Sequence, residues 1–132
     1  MIEDAANGLA GFELVESSEA GMLSQAPGAC PQMLIALDYA MDRSKEIAVA
    51  GGRDDARTIE LLKTVRKSFL PNKVVALADG KTVSKKIPLL EGKVPQRGVP
   101  TAYVCERGLC KMPTTDAAEL GRQVSELKKI EW

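Results

Sequence analysis

Two short apolar runs separated by one helix-length segment constrain the fold of this chain more than any other feature. The first run, Lys45–Ala50, ends at Gly51 and Gly52, and the second occupies residues 73–77. Between them, apolar residues recur at the spacing of an α-helix, at Ile59, Leu62, Val65 and Phe69. A strand, a helix and a second strand of these lengths form a parallel βαβ unit with a right-handed crossover. The sequence therefore predicts an α/β fold.

A β-hairpin is predicted in the last third of the chain. Residues 101–105 are β-branched and aromatic, and a second short run, residues 109–112, follows Arg107 and Gly108. A two-residue turn and a four-residue loop are both compatible with this spacing, and both place Cys105 opposite Cys110. Opposed residues of an antiparallel pair have Cα atoms about 4.5 to 5.5 Å apart, which a disulfide accepts.

Helices are expected on either side of these strands. Residues 31–41 have a helical apolar stripe with Pro31 in the first turn, and a last helix begins after a cap at Thr115 or Asp116. Its buried stripe is predicted to be Leu120, Val124 and Leu127. We expect a small Rossmann-like sheet with a βαβ unit, flanking helices and a C-terminal β-hairpin plus helix. Residues 27–132 would form this single α/β domain, and residues 1–26 would form an N-terminal helical remnant, with a helix over 2–12, and a linker.

Composition excludes several classes of function. Lys plus Arg and Asp plus Glu number 18 each, so no net positive charge attracts nucleic acid. The chain has no histidine, the commonest general base and metal ligand, and three cysteines alone cannot complete a zinc site. We therefore predict no catalytic residue, no metal and no cofactor.

The sequence also predicts a cytoplasmic location. Its apolar runs are shorter than the roughly 20 residues that span a membrane, and the first residues are acidic, unlike the basic start of a signal peptide. No membrane partner is expected. An odd number of thiols in such a chain is not a secreted disulfide framework, so any disulfide here would be conditional.

A weak ligand site is predicted where the two parallel strands end, at Gly51, Gly52, Arg53 and Asp79. A turn before a helix can bind the phosphate of a nucleotide or sugar phosphate. However, the pattern is neither a dinucleotide fingerprint nor a Walker loop, and Asp54 and Asp55 would repel an anion. We favour a plain tight turn.

Two further features have an ordinary explanation that we prefer. Cys30 lies at the start of the helix over 31–41, where the dipole could activate a thiol, but a small packed side chain is the favoured interpretation. Residues 81–98 form a Pro- and Gly-rich loop that can hold one helical turn, and we interpret its cations as a solvated surface rather than an anion site. They are Lys81, Lys85, Lys86, Lys93 and Arg97.

The order of these segments resembles the C-terminal part of the thioredoxin-domain-containing proteins of the YyaL and spermatogenesis-associated type. The most specific piece is Tyr103, Val104 and Cys105 followed by residues 110–113, Cys-Lys-Met-Pro. The resemblance runs from about residue 27 onward. It implies a longer architecture of a thioredoxin-like domain, an α/α toroid and a C-terminal α/β portion. The thioredoxin Cys-x-x-Cys site and the toroid have no counterpart in this chain.

Three functions follow as hypotheses. The resemblance implies a non-catalytic accessory domain of uncharacterised role, which packs against thioredoxin-like and toroid domains of the same or a neighbouring protein. A homo-oligomer through the helix over 2–12 would cover that helix's apolar face. The alternative is a thiol-disulfide redox switch that uses Cys105 and Cys110. A nucleotide or sugar-phosphate binding module is the further alternative.

Overall fold

The computed structural model describes residues 21–80 and 87–126. The chain divides into two compact units, and the division falls between Met41 and Asp42 in the sequence. The described part of the first unit is helical, with residues 21–25, a 3-10 turn at Pro27–Ala29 and helix α1 at Pro31–Met41. Helix α1 has the predicted bounds, and none of its residues is buried. The predicted helix over 2–12 lies outside the described residues. The boundary at residue 26 and the homo-oligomer therefore stay predictions.

The second unit contains a four-stranded mixed sheet. Its strands are β1 (Lys45–Ala50), β2 (Lys73–Ala78), β3 (Thr101–Glu106) and β4 (Leu109–Cys110). They lie in the order β2-β1-β3-β4, with β1 and β2 parallel and the other pairs antiparallel. The predicted α/β class, the βαβ unit and the hairpin are confirmed. The Rossmann-like character stays a prediction, because one parallel pair is common to many α/β sheets.

Two helices, α2 (Ala56–Lys67) and α3 (Ala117–Ser125), cover one face of this sheet. Each begins at an aspartate whose carboxylate accepts a backbone N–H, Asp55 for α2 and Asp116 for α3. The core on this face consists of apolar side chains from β1, β3 and both helices: Ile47, Val49, Leu61, Val65, Ala102, Val104, Leu120 and Val124. The predicted Leu127 of the last helix lies outside the described residues.

The opposite face is built from smaller side chains. Strand residues alternate between faces, so Ala48, Ala50 and Tyr103 point away from the helices. A 3-10 turn at Pro88–Leu90 packs on them, with Leu90 only 1% exposed. This turn lies within residues 81–98, the segment predicted as a loop, and it packs on this face of the sheet.

The buried side of α2 differs from the stripe that the sequence pattern indicates. Its buried residues are Thr58, Leu61 and Val65, and Leu62 is partly buried against the core. Ile59 remains 39% exposed, and Phe69 follows the end of the helix and is 91% exposed. Thr58 in the first turn of α2 packs against Gly51, where a Cβ would collide with its hydroxyl. The helix is as predicted, and of its regularly spaced apolar residues Leu62 and Val65 face the core, whereas Ile59 and Phe69 are exposed.

A buried ion pair ties the first strand to the hairpin. Lys45 lies opposite Glu106 in the antiparallel register, and its Nζ is 2.7 Å from Glu106 Oε1. The same ammonium donates to the carbonyl oxygen of Glu126 at 2.9 Å. The side chains of Lys45 and Glu106 are 5% and 14% exposed. Glu106 immediately follows Cys105, so this pair fixes the strand that carries the first hairpin cysteine.

Candidate functional site: a hairpin disulfide

The hairpin joins β3 to β4 through a two-residue turn. Arg107 and Gly108 have φ values of 50° and 78°, the left-handed conformation that a tight hairpin turn requires. Cys105 lies opposite Cys110, and Glu106 lies opposite Leu109. Of the two predicted spacings, the structure therefore has the two-residue turn, and the opposition of the two cysteines is as predicted.

Cys105 and Cys110 form a disulfide, with their Cα atoms 3.9 Å apart. The two cysteines differ in their access to solvent. Cys105 is 2% exposed within the central part of the sheet, whereas Cys110 is exposed on the short edge strand β4. An external reagent can therefore approach the pair from the side of Cys110.

Lys93 contacts the exposed member of the pair. Its ammonium donates a hydrogen bond to Cys110 Sγ at 3.5 Å and lies 5.2 Å from the centroid of the Tyr103 ring. The Tyr103 hydroxyl donates to the carbonyl oxygen of Val94 at 2.6 Å. Tyr103 thus contacts Lys93 with its ring and the next residue, Val94, with its hydroxyl. The sequence had assigned Lys93 only to a solvated loop.

Other charged groups near the hairpin have partners of their own. The Glu106 carboxylate pairs with Lys45, and the Lys111 ammonium pairs with the Glu126 carboxylate and donates to the Gln123 carbonyl oxygen. Within residues 21–80 and 87–126, no carboxylate lies within ion-pair distance of Lys93. The ammonium that contacts Cys110 Sγ is therefore not neutralised by an acidic group of the described residues.

The residues that the sequence marks as a weak ligand site lie close to one another. Arg53 follows β1, Asp79 follows β2, and Arg53 Nη2 is 3.3 Å from Asp79 Oδ2. The Gly51 N–H donates to the carbonyl oxygen of Ala78 at 3.0 Å. A Cβ on Gly51 would collide with the Thr58 hydroxyl and with Pro100. The structure brings the four residues to one edge of the sheet, where Gly51 serves close packing.

The carboxylate of Asp55 lies at the start of α2. The Asp55 carboxylate accepts from the backbone N–H of Arg57 at 2.9 Å and from its guanidinium at 2.9 and 3.1 Å. These side-chain hydrogen bonds, followed by the backbone one, lower the pKa of Asp55 below its ordinary value. The negative charge of Asp55 at the start of α2 would repel a phosphate bound there, so it disfavours an anion site.

Other potential sites offer little chemistry. Across the described residues, no group of three or more Cys, Asp or Glu side chains could hold a metal ion. Cys30 is a free, half-buried thiol of the first unit. A depression of about 240 Å³ lies where β1 and β2 begin, with Lys45, Phe69, Asn72 and Glu106 among its lining.

In the same described ranges, no helix has the length and apolar character needed to cross a membrane.

Three curated mammalian proteins are similar to this chain over 101 residues, or 74% of its length. They are the spermatogenesis-associated protein 20 of human, rat and mouse, at 36%, 34% and 33% identity. Over this stretch the chain belongs to the spermatogenesis-associated protein 20 family. The family resemblance of the sequence is thereby confirmed.

The match covers a small part of each spermatogenesis-associated protein 20. The chain spans 13% of the length of these relatives. No family model matches it, and no solved structure does. Membership in the spermatogenesis-associated family therefore identifies a segment, and the activity of the longer proteins does not follow for this segment.

Proposed function

We propose that this chain is a non-catalytic accessory domain that packs, as a C-terminal domain, on the thioredoxin-like and toroid domains of a larger protein of its family. The observation that carries the proposal is the 13% share of each relative that the chain covers. A segment of this size that has its own core and exposes large apolar side chains is suited to binding the rest of a longer protein. Its partners are the remaining domains, encoded in the same or a neighbouring gene.

The hairpin offers an apolar surface for this contact. Leu109 and Met112, on either side of Cys110 in sequence, are each 80% exposed. Large apolar side chains in this state gain about 1.5 to 3 kcal/mol each when a partner buries them. The hairpin is therefore the surface that we expect to meet the rest of the protein.

Binding to the remaining domains tests this proposal. The chain would be mixed with the thioredoxin-like and toroid portion from the same genome, and the complex measured by calorimetry and size-exclusion chromatography. We expect a stoichiometric complex that the Leu109→Ser/Met112→Ser variant weakens at least tenfold. Ile59→Ser, a matched change on α2, should leave the affinity unchanged. The proposal fails if the wild-type chain does not bind, or if both variants bind as the wild type does.

A second function, a thiol-disulfide redox switch, is favoured by the Cys105–Cys110 disulfide. We propose that the pair cycles between dithiol and disulfide in the cytoplasm, where disulfides are usually transient. The exposed position of Cys110 at the sheet edge supports this, because a buried disulfide would not meet an exchange partner.

Redox titration tests the second function. A Cys30→Ser chain, which retains only the hairpin pair, would be equilibrated in glutathione buffers and its free thiols counted by alkylation and mass spectrometry. We expect the pair to change state within the cytosolic range, about −220 to −320 mV. A pair that stays fully reduced or fully oxidised across that range rules out the switch.

The nucleotide or sugar-phosphate module stays a weaker proposal. Its support is the clustering of Gly51, Arg53 and Asp79 at the carboxyl ends of parallel strands, a common place for ligands. Against it stand the carboxylates of Asp55 and Asp79. A thermal-shift series with nucleotides and sugar phosphates decides the matter, since no stabilisation at millimolar ligand would exclude useful affinity.

A further inference from the structure

The two sulfurs of the hairpin disulfide are not equivalent. Cys105 is 2% exposed, whereas Cys110 is exposed and receives a hydrogen bond from the Lys93 ammonium at 3.5 Å. Thiol-disulfide exchange requires an attacking thiolate to reach one particular sulfur, and its rate depends on the charge at the reacting sulfurs. Access favours Cys110 as the sulfur that is attacked, and the Lys93 ammonium beside it attracts an incoming thiolate.

We propose that Cys110 is the sulfur through which the pair exchanges with an external dithiol or disulfide, and that Lys93 is a positioning residue that stabilises its thiolate. This inference rests on the redox switch proposed above and assigns a separate task to each cysteine. Cys110 forms the mixed disulfide, and Cys105 resolves it.

Reduction of the pair proceeds in two exchanges. A thiolate of an external dithiol attacks Cys110 Sγ, the bond to Cys105 Sγ breaks, and Cys105 leaves with the electron pair and takes a proton from water. The second thiolate of the dithiol then attacks its own sulfur in the mixed disulfide. Cys110 leaves as a thiolate beside Lys93, the external dithiol becomes a disulfide, and two electrons have entered the hairpin.

Oxidation follows the same path in reverse. The Cys110 thiolate attacks an external disulfide and forms the mixed disulfide, which releases one external thiolate. Cys105 then loses its proton to water, attacks Cys110 Sγ as a thiolate and expels the second external thiolate. In both directions the partner is attached to Cys110, so the limited exposure of Cys105 is no obstacle.

Lys93 suits this task because of how it is held. The contact of its ammonium with the Tyr103 ring and the anchor between the Tyr103 hydroxyl and the Val94 carbonyl place the cation beside the sulfur. The neighbouring charges of the hairpin are engaged elsewhere: Glu106 with Lys45, and Lys111 with Glu126. Arg107 occupies the exposed turn. A cation at 3.5 Å from a sulfur favours its anionic form.

The test isolates the Cys110 thiol in the full chain. In a Cys30→Ser/Cys105→Ser background, the rate of alkylation by iodoacetamide would be measured from pH 5 to pH 10, with and without Lys93→Met. An ordinary thiol titrates near about 8.5. We expect a midpoint below this value, and Lys93→Met should raise it by about half a unit to one unit and slow alkylation at pH 7 about three- to tenfold.

Two matched variants separate charge from structure. Lys93→Arg retains the cation and should keep the low midpoint, and Lys63→Met removes an exposed lysine of α2 and should change nothing. A second measurement is the rate at which dithiothreitol reduces the intact disulfide of the Cys30→Ser chain. It should fall in Lys93→Met and not in Lys63→Met, because the cation beside Cys110 attracts the incoming thiolate. This measurement does not depend on the fold of the Cys105→Ser background.

The outcomes distinguish this inference from the redox switch itself. Equal midpoints and equal reduction rates with lysine and methionine at position 93 overturn the assignment of Lys93, whatever the redox titration shows. A pair that never changes state in glutathione buffers, combined with a midpoint that depends on Lys93, overturns the switch while the charge effect on Cys110 stands.

Discussion

The hairpin and the turn after β1 both carry residues that the sequence marks as candidate sites, and they differ in how their charges are used. At the turn, Arg53 pairs with Asp79, and Arg57 pairs with the Asp55 cap. At the hairpin, the Lys93 ammonium faces a sulfur rather than a carboxylate. At the turn the charged side chains therefore pair with one another and stabilise the local structure, whereas at the hairpin a cation lies beside a sulfur that can react.

The largest effect is expected where the hairpin is tied to the sheet. Lys45→Met would leave the Glu106 carboxylate, 14% exposed, without its buried partner. We expect a loss of about 3 kcal/mol in the free energy of unfolding, measured by urea denaturation. The double variant Lys45→Met/Glu106→Met should lose clearly less, because no unpaired charge is buried. If the single and double variants are equally unstable, the pair is not what anchors the hairpin.

The next largest effect is expected from a change in packing at the turn after β1. Gly51→Ala places a methyl group against Thr58 and Pro100, whereas the nearest atom to a Cβ on Gly52 is the Asp55 Cβ at 3.9 Å. We expect Gly51→Ala to cost about 1 to 3 kcal/mol and Gly52→Ala to be tolerated, both measured by urea denaturation. Equal stabilities of the two variants would show that Gly51 is there for some reason other than close packing.

Removal of the hydrogen bond that anchors the loop beside Lys93 should have a smaller effect. Tyr103→Phe removes the hydroxyl that donates to Val94 and leaves the aromatic ring in place. We expect a loss of about 1 kcal/mol in stability and a decrease in the alkylation rate of Cys110 that is smaller than that caused by Lys93→Met. An alkylation rate that falls further than in Lys93→Met would mean that Tyr103 acts on the sulfur by itself.

The smallest effect concerns pH at the turn. Because Arg57 lowers the pKa of Asp55 in the folded chain, the stabilisation is present above the ordinary value of 3.8 and is lost as the pH falls through the lowered value. Asp55→Asn should therefore have a lower urea midpoint than the wild type at pH 7, and the difference should close in acid. A gap that is independent of pH would show that the charge of Asp55 contributes nothing beyond its capping.

Much of the fold was predictable because the determining patterns are local. The bounds of α1 and β1, a cap at Thr115 or Asp116 and the opposition of Cys105 and Cys110 all follow from spacing within a short segment. The inward face of α2 was predictable only in part, since the apolar spacing includes Leu62 and Val65 but not Thr58, which is buried against Gly51. The pairing of Lys45 with Glu106 requires knowing that β3 lies next to β1, which no local pattern indicates.

Only one part of the candidate site could be predicted from the sequence. The cysteine pair is visible in the sequence, but its partner Lys93 lies 17 residues away from Cys110 in a loop with several other cations. Charge counting cannot distinguish Lys93 from Lys81 or Arg97. The position of Lys93 beside Cys110 depends on Leu90 and Tyr103, which pack this part of the loop against the face of the sheet opposite the helices.

One measurement tests the assignment of Cys110 most directly. The oxidised Cys30→Ser chain would be exposed briefly to glutathione, quenched with acid and N-ethylmaleimide, and digested with trypsin, which cleaves after Arg107 and separates the two cysteines. We predict that glutathione is attached to peptide 108–111, with Cys110, and that N-ethylmaleimide labels peptide 98–107, with Cys105. Glutathione on peptide 98–107, or an equal distribution over both peptides, would contradict the account.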